Sequence, residues 1–291
     1  MTGNGKRTPV IIGAGQITER EIPPPEASSP IDLMIKAVKL AADDAGMSAE
    51  SLARADMVIT VPMFNDMGIA NPPGCVADAI GAAGAKCVLA GFGGTSPHSM
   101  LCYAANSIIS GKADLAVLTG AEAQHTMLQA RKAGISLDWK ASTKREDPER
   151  FPPLTGVEGA CETEHIHGIS LPANVYPMFE NSLRRIYGDD HATHQQKIGE
   201  LMSSLTRVAS QNPLAWFRDI LAPEEIITVT PENRNTAFPY TKRMNAMLFV
   251  NQSAALVVTS QEQADRMGIA RSKRVYLHGY AEAHDHWNVL S

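Results

Sequence analysis

The chain has 291 residues, 44% of them hydrophobic and 20% charged, enough apolar material for one large core or two modest ones. Lys and Arg total 26 against 31 Asp and Glu, a formal charge of -5, so the basic footprint of a nucleic-acid partner is missing. The longest weakly polar stretch, residues 76–94, is interrupted by Asp78 and Lys86, and no segment reads as a membrane span.

Only three aliphatic residues, Val10 to Ile12, precede Gly13, too few for the apolar core of a secretory signal, and the expectation is a cytoplasmic protein. The four cysteines, Cys75, Cys87, Cys102 and Cys161, form no CxxC pair and sit among small or aliphatic neighbours, as reduced, mostly buried thiols do.

In chain order, PVIIGAGQITER from Pro9 reads as a short buried strand ending at Gly13 and Gly15, where the chain can turn sharply. Ser29 and Pro30 supply an N-cap and a first-turn proline to a helix with Ile31, Met34, Ile35, Val38, Ala41, Ala42 and Ala45 on one face, closed by Gly46. A second strand is expected over residues 55–61, a short helix over 76–83 and a third strand over 86–90. Ser96 and Pro97 then open, and Gly111 stops, a helix that is apolar on nearly every face, which means burial. A fourth strand follows at residues 115–118. The alternation of strand and helix through the first 120 residues is that of a parallel sheet covered on both faces.

After Gly120 the texture becomes polar and proline-rich, with a dense charge run from Lys144 to Arg150, and reads as an inserted subdomain. Helices are expected from Val175 to Ile186 and from His191 to Ser210. Strands are expected again over residues 246–250, 254–258 and 274–277.

Gly13 and Gly15 after a strand suggest a dinucleotide fingerprint, but position 18 is Thr instead of the third glycine and no acidic residue follows at the required distance. Gly93-Gly94-Thr95-Ser96 makes a better physical case, because unpaired amides and the positive end of the macrodipole at a helix start stabilise a thiolate, oxyanion or phosphate. The plainer reading is that the glycines permit a turn and Ser96 caps the helix. His165 with His167, and His284 with His286, are i, i+2 pairs that would share one face of a strand, yet neither pair shows a third metal ligand, and no metal is expected. Cys102, two turns into the helix, reads as core.

The opening PVIIGAGQITER, the glycine-led helix running into NSIISGKADLAVLTGAEA and the late VNQSAALVVTSQEQADRMGI resemble the thiolase superfamily. LPANVYPMFENSLR, from Leu171, resembles a thiolase-like subgroup, named acetyl-CoA acetyltransferases, with a GGxSP-type segment in place of the cysteine motif. The resemblance implies an α/β fold, a thiolase-like layer with a mixed five-stranded sheet. Residues 1–120 and 243–291 would form that layer and residues 121–242 the inserted loop domain. It places the family's nucleophile at Gly94, or at Thr95 if the register slips by one, beside Ser96, with the cysteine absent.

It also implies coenzyme A or an acyl-CoA as substrate, with no permanently bound cofactor. Arg234, Lys242, Asn245, Met247 and Leu248 would meet coenzyme A, although a solvated basic face is the plainer reading of Arg234, Lys242 and Arg243. The implied activity is acyltransferase action on acyl-CoA or thiolytic C–C cleavage in lipid metabolism. The family's C-terminal half would lie outside the chain, so a homodimer mate or a chain supplying that half is expected, with family dimers forming through Lys86–Ala90. A catalytically degenerate acyl-CoA-binding or scaffold subunit is the alternative.

Overall fold

The computed structural model describes residues 5–65, 67–151, 161–169 and 171–283. The chain divides into two compact units, one made of the described residues of Met1–Thr155 and Phe249–Ala283, the other of those of Gly156–Leu248.

The first unit is built from β1 (Pro9–Thr18), α1 (Pro30–Ala45), α2 (Ala49–Leu52), β2 (Met57–Thr60), α3 (Pro72–Ala79), β3 (Lys86–Ala90), α4 (Ser96–Ile109), β4 (Leu115–Ala123), α5 (Gln124–Ala133) and β5 (Glu149–Phe151). The second unit holds α6 (Glu162–Ile166), α7 (Pro172–Tyr187), α8 (His191–Gln211), α9 (Pro223–Ile227), β6 (Asn235–Ala237) and β7 (Tyr240–Thr241). The chain then returns to the first unit with β8 (Asn251–Ser260), α10 (Gln261–Arg266) and β9 (Val275–Tyr276).

One mixed sheet in the order β5-β3-β2-β4-β8-β1-β9 organises the first unit. Among the described residues it has seven strands, not the five expected, because two very short strands, β5 and β9, extend its two edges. β5, β3, β2 and β4 run parallel, whereas β8 is antiparallel to both β4 and β1.

The helix expected after Ser29 forms as read: the Ser29 hydroxyl accepts from Asp32 N–H, the Asp32 carboxylate accepts from Ser29 N–H, and Gly46 closes the helix in a left-handed conformation at φ 70°. Its apolar stripe, with α3, packs on one sheet face against Val10, Ile12, Val58, Val117 and Val257. On the other face α4 buries Met100, Ala104 and Ile108 against Met57, Ile59, Val88, Leu118 and Val258. Each such fully buried aliphatic side chain contributes roughly 1.5–3 kcal/mol relative to exposure.

Several expectations are corrected. β1 does not end at Gly13 but runs to Thr18, paired along its length with β8. Its glycines serve helix packing: a Cβ at Gly15 would stand 2.2 Å from the Ala37 carbonyl oxygen of α1. The helix expected over 76–83 starts four residues earlier, at Pro72, because Asn71 caps it by accepting from Gly74 N–H at 2.7 Å. Of the two late strands expected over 246–250 and 254–258 only the second forms, within β8; residues 246–250 are in no strand, and the apolar residues 247–249 are exposed. His165 and His167 lie in and just after helix α6, where i, i+2 residues diverge, and among the described residues no group of side chains could hold a metal. The His284–His286 pair lies outside the described residues.

β5 pairs with β3 along the edge through which dimerisation was expected, aligning Val88 with Glu149 and Ala90 with Phe151. A side-chain latch holds it there. Lys86 Nζ lies 2.6 Å from Glu149 and donates to the Tyr103 hydroxyl at 2.9 Å, Tyr103 donates to Glu149 at 2.6 Å, and its ring stacks on Phe151 with centroids 4.4 Å apart. Hydrogen bonds from Lys86 and then Tyr103 hold the Glu149 carboxyl below its ordinary range. A carboxyl depressed in the folded state stabilises that state above its ordinary range, and the contribution is lost as pH falls through the lowered value. Amide protection factors at residues 149–151 are therefore expected to drop on acidification, and Lys86→Met should reproduce the drop at pH 7. Unchanged protection in both cases would show that strand pairing alone retains β5.

The second unit has a small core of Ile198, Ile226 and Met244 and relies on polar ties. The Glu180 carboxylate of α7 lies 2.6 Å from His194 Nε2 of α8 and accepts from the Tyr240 hydroxyl. Asp189 faces His194 Nδ1 at 3.3 Å and Lys197 at 2.7 Å. Buried Asn233 donates to the Ile226 and Thr228 carbonyls, both at 2.9 Å, and accepts from Arg243 N–H at 2.9 Å.

Candidate functional site

The turn from β3 into α4 occupies Gly91 to Thr95, at the C-terminal end of a parallel strand, where open α/β sheets place their ligands. Ser96 is not the cap. Thr95 holds that position without a side-chain bond, while Ser96 is the first helical residue, buried, its hydroxyl donating back to the Gly91 carbonyl. Two of the first-turn amides are consumed by tight turns, Ser96 N–H on Gly93 O at 3.1 Å and His98 N–H on Thr95 O at 3.0 Å. The amides of exposed Gly94 and Thr95 have no partner among the described residues. They are among the donors left unpartnered at the start of the helix, near its positive end. A Cβ built on Gly94 meets nothing within 4 Å, so the position is sterically open.

Beside this turn lies a cleft of about 470 Å³, within the size range of small-molecule sites. Pro97 and Met100 of α4 form one wall, Val61 and Pro62 after β2 another, and its floor is the sheet, from Leu118 to Glu122 of β4 and from Gln252 to Leu256 of β8. The lining is mostly aliphatic; the Glu122 carboxylate is its charged group. Glu122 accepts from Phe64 N–H at 2.6 Å and from the Gln124 side chain at 3.0 Å.

None of the nearby thiols is poised as a nucleophile. Burial, reinforced by the Glu282 charge, pushes the Cys102 thiol up, and its sulfur sits 3.4 Å from His98 Nε2 with only 2% of the residue exposed. Burial likewise pushes up Cys75 and Cys87.

The expected coenzyme A contacts belong to the second unit. Arg234 and Lys242 are neighbours through the Lys242 N–H to Arg234 carbonyl bond of 2.9 Å, and Arg234 also donates to the Asn235 carbonyl at 3.2 Å. The Asn245 amide is spent on Thr236 and the Thr241 carbonyl, at 2.9 and 2.8 Å. Met247 and Leu248 are exposed. Sequence reasoning did not single out Glu122, Phe64 or Phe92; the signal for the first was the carboxylate in the GAEA run leaving β4, a polar end to an apolar strand.

No protein-family model matches the chain, and no curated protein matches it. Solved structures do. A monomeric SCP2-thiolase-like protein type 1 from Mycobacterium smegmatis is 31% identical, with a TM-score of 0.73 over 94% of this chain and 50% of that one. The chain has the thiolase-superfamily fold.

This thiolase-fold chain spans about half the length of that structure. Two further likenesses bear on the fold alone: an Ltp2-ChsH2(DUF35) aldolase, 19% identical at a TM-score of 0.60 over 90% of this chain and 58% of that one, and the Acat5 thiolase from Ascaris suum in complex with coenzyme A, 15% identical at 0.57 over 90% and 68%. Among the described residues no helix is long and apolar enough to cross a membrane.

Proposed function

We propose that the chain is a thiolase-like unit acting on acyl-CoA in the cytoplasm, by acyl transfer or C–C bond cleavage, and that a missing C-terminal half or a partner chain completes its active site. The observation that carries this reading is the pair of unpartnered amides, Gly94 and Thr95, at the start of α4 beside an aliphatic cleft. A thioester carbonyl seated there would meet two backbone donors as negative charge develops on its oxygen. One such donor is worth roughly 3 kcal/mol of barrier in acyl-transfer enzymes. Residues 121–242 act as the loop domain, and Arg234, Lys242, Asn245, Met247 and Leu248 meet the coenzyme A moiety. The coenzyme A in the Ascaris thiolase structure and the partner in the Ltp2-ChsH2(DUF35) aldolase support the ligand class and the need for a second chain.

A second reading, an acyl-CoA-binding or scaffold subunit without chemistry of its own, is favoured by one observation. None of Gly94, Thr95 and Ser96 is a cysteine, and the Ser96 hydroxyl is committed to a backbone carbonyl. Both readings expect free coenzyme A at about a hundred times its Kd to raise the melting temperature by about 5 °C or more. They also expect no acetyl adduct on the isolated chain after incubation with acetyl-CoA, read by intact mass. An adduct would place a nucleophile in this chain. Absence of any thermal shift would sink both readings.

A further inference from the structure

Phe64 and Phe92 are large apolar side chains left 60% and 55% exposed, yet they are ordered against each other, edge to face, with centroids 4.9 Å apart and an interplanar angle of 85°. They stand on the loops that follow β2 and β3, adjacent parallel strands, on the side of the sheet where ligands enter. Both loops are tied to the cleft. Phe64 N–H donates to Glu122, which lines the cleft, and Phe92 directly precedes the Gly93-Gly94 turn, itself held by the Ser96 hydroxyl on Gly91.

We infer that these two rings form an aromatic ledge continuing the aliphatic wall of the cleft, and that the ledge selects thioesters whose acyl group is longer than acetyl. The inference rests on the acyl-CoA reading and specifies its substrate class. Exposed phenyl rings gain by covering apolar surface, and an alkyl chain leaving the cleft past Val61 and Pro62 offers that surface, whereas a two-carbon acyl group has none to spare. Glu122 acts as a positioning residue: its carboxylate fixes the Phe64 backbone and thereby the ring.

The test compares coenzyme A, acetyl-CoA and octanoyl-CoA by isothermal titration. Octanoyl-CoA is expected to bind roughly tenfold or more tighter than acetyl-CoA, the scale of burying a few methylenes. Phe64→Ala and Phe92→Ala should each collapse that ratio toward one. Glu122→Ala should do the same, while Glu122→Gln, which keeps an oxygen to accept from Phe64 N–H, should restore it. Equal affinities for the two thioesters in the unaltered chain, or a ratio that survives both phenylalanine truncations, would overturn the ledge. If coenzyme A binds and the ratio is one, the ledge alone falls; if no coenzyme A ester binds, the acyl-CoA reading falls with it.

Discussion

Gly94→Cys is expected to create the most reactive thiol in the molecule. The site is open, its backbone is not in a glycine-only conformation, its own amide and that of Thr95 are unpartnered, and it stands at the positive end of α4. Helix N-termini lower thiol pKa values from near 8.5 into the range of about 3.5–7.5, and even a dipole effect of ~1.4 kcal/mol raises the thiolate fraction tenfold at neutral pH. The proper control is Gly84→Cys, equally exposed and equally open but on a loop between α3 and β3. Alkylation by iodoacetamide at pH 7 should run on the order of tenfold faster at position 94 than at position 84. Acetyl-CoA should leave an acetyl group on the first variant and none on the second. Equal alkylation rates would mean that the start of α4 does not stabilise negative charge, and the proposed oxyanion role of Gly94 and Thr95 would go with it.

Gly15→Ala is expected to be among the most damaging single methyl additions. Its new carbon would stand 2.2 Å from Ala37 O and 2.5 Å from Ala41 N, both main-chain atoms of α1, and Gly13 meets Ala41 O at 2.1 Å in the same way. Neither contact involves a side chain that can swing aside, so β1 and α1 must separate and the core on that face loosens with them. Overpacking of flexible cores costs about 1–3 kcal/mol; against main-chain atoms about 3 kcal/mol or more is expected, a fall in Tm of roughly 6 °C or more. Gly84→Ala, which meets nothing within 4 Å, should leave Tm unchanged. A Gly15→Ala protein as stable as its parent would show that the α1–β1 approach is looser than described.

Those glycines also show where reading the sequence stops. A glycine pair after an apolar run carries the same local signal whether it bends the chain or admits a helix, and only the presence of Ala37 and Ala41 across the gap decides. Signals confined to one element were legible: Ser29, Pro30 and Gly46 bracket α1, and Pro97 and Gly111 bracket the buried helix. β5 was not, because Glu149-Arg150-Phe151 is short and charged and forms a strand only by pairing with β3, some sixty residues away. The apolar run before Asn251 resembles a strand more than the polar start of β8 does, yet β8 is fixed by its neighbours β1 and β4. At the candidate site the Gly93–Ser96 turn was visible from its composition. Glu122, Phe64 and Phe92 were not, since three separate loops and strand ends bring them together.

The two shortest strands of the large sheet lie at its rims, β5 with three residues and β9 with two. A long bare rim is a template on which other chains polymerise, and stubby terminal strands, one of them bearing Glu149 and Arg150, deny it that length. Among the described residues the sheet therefore offers a neighbouring chain only a few main-chain groups at each rim, which limits edge-to-edge growth.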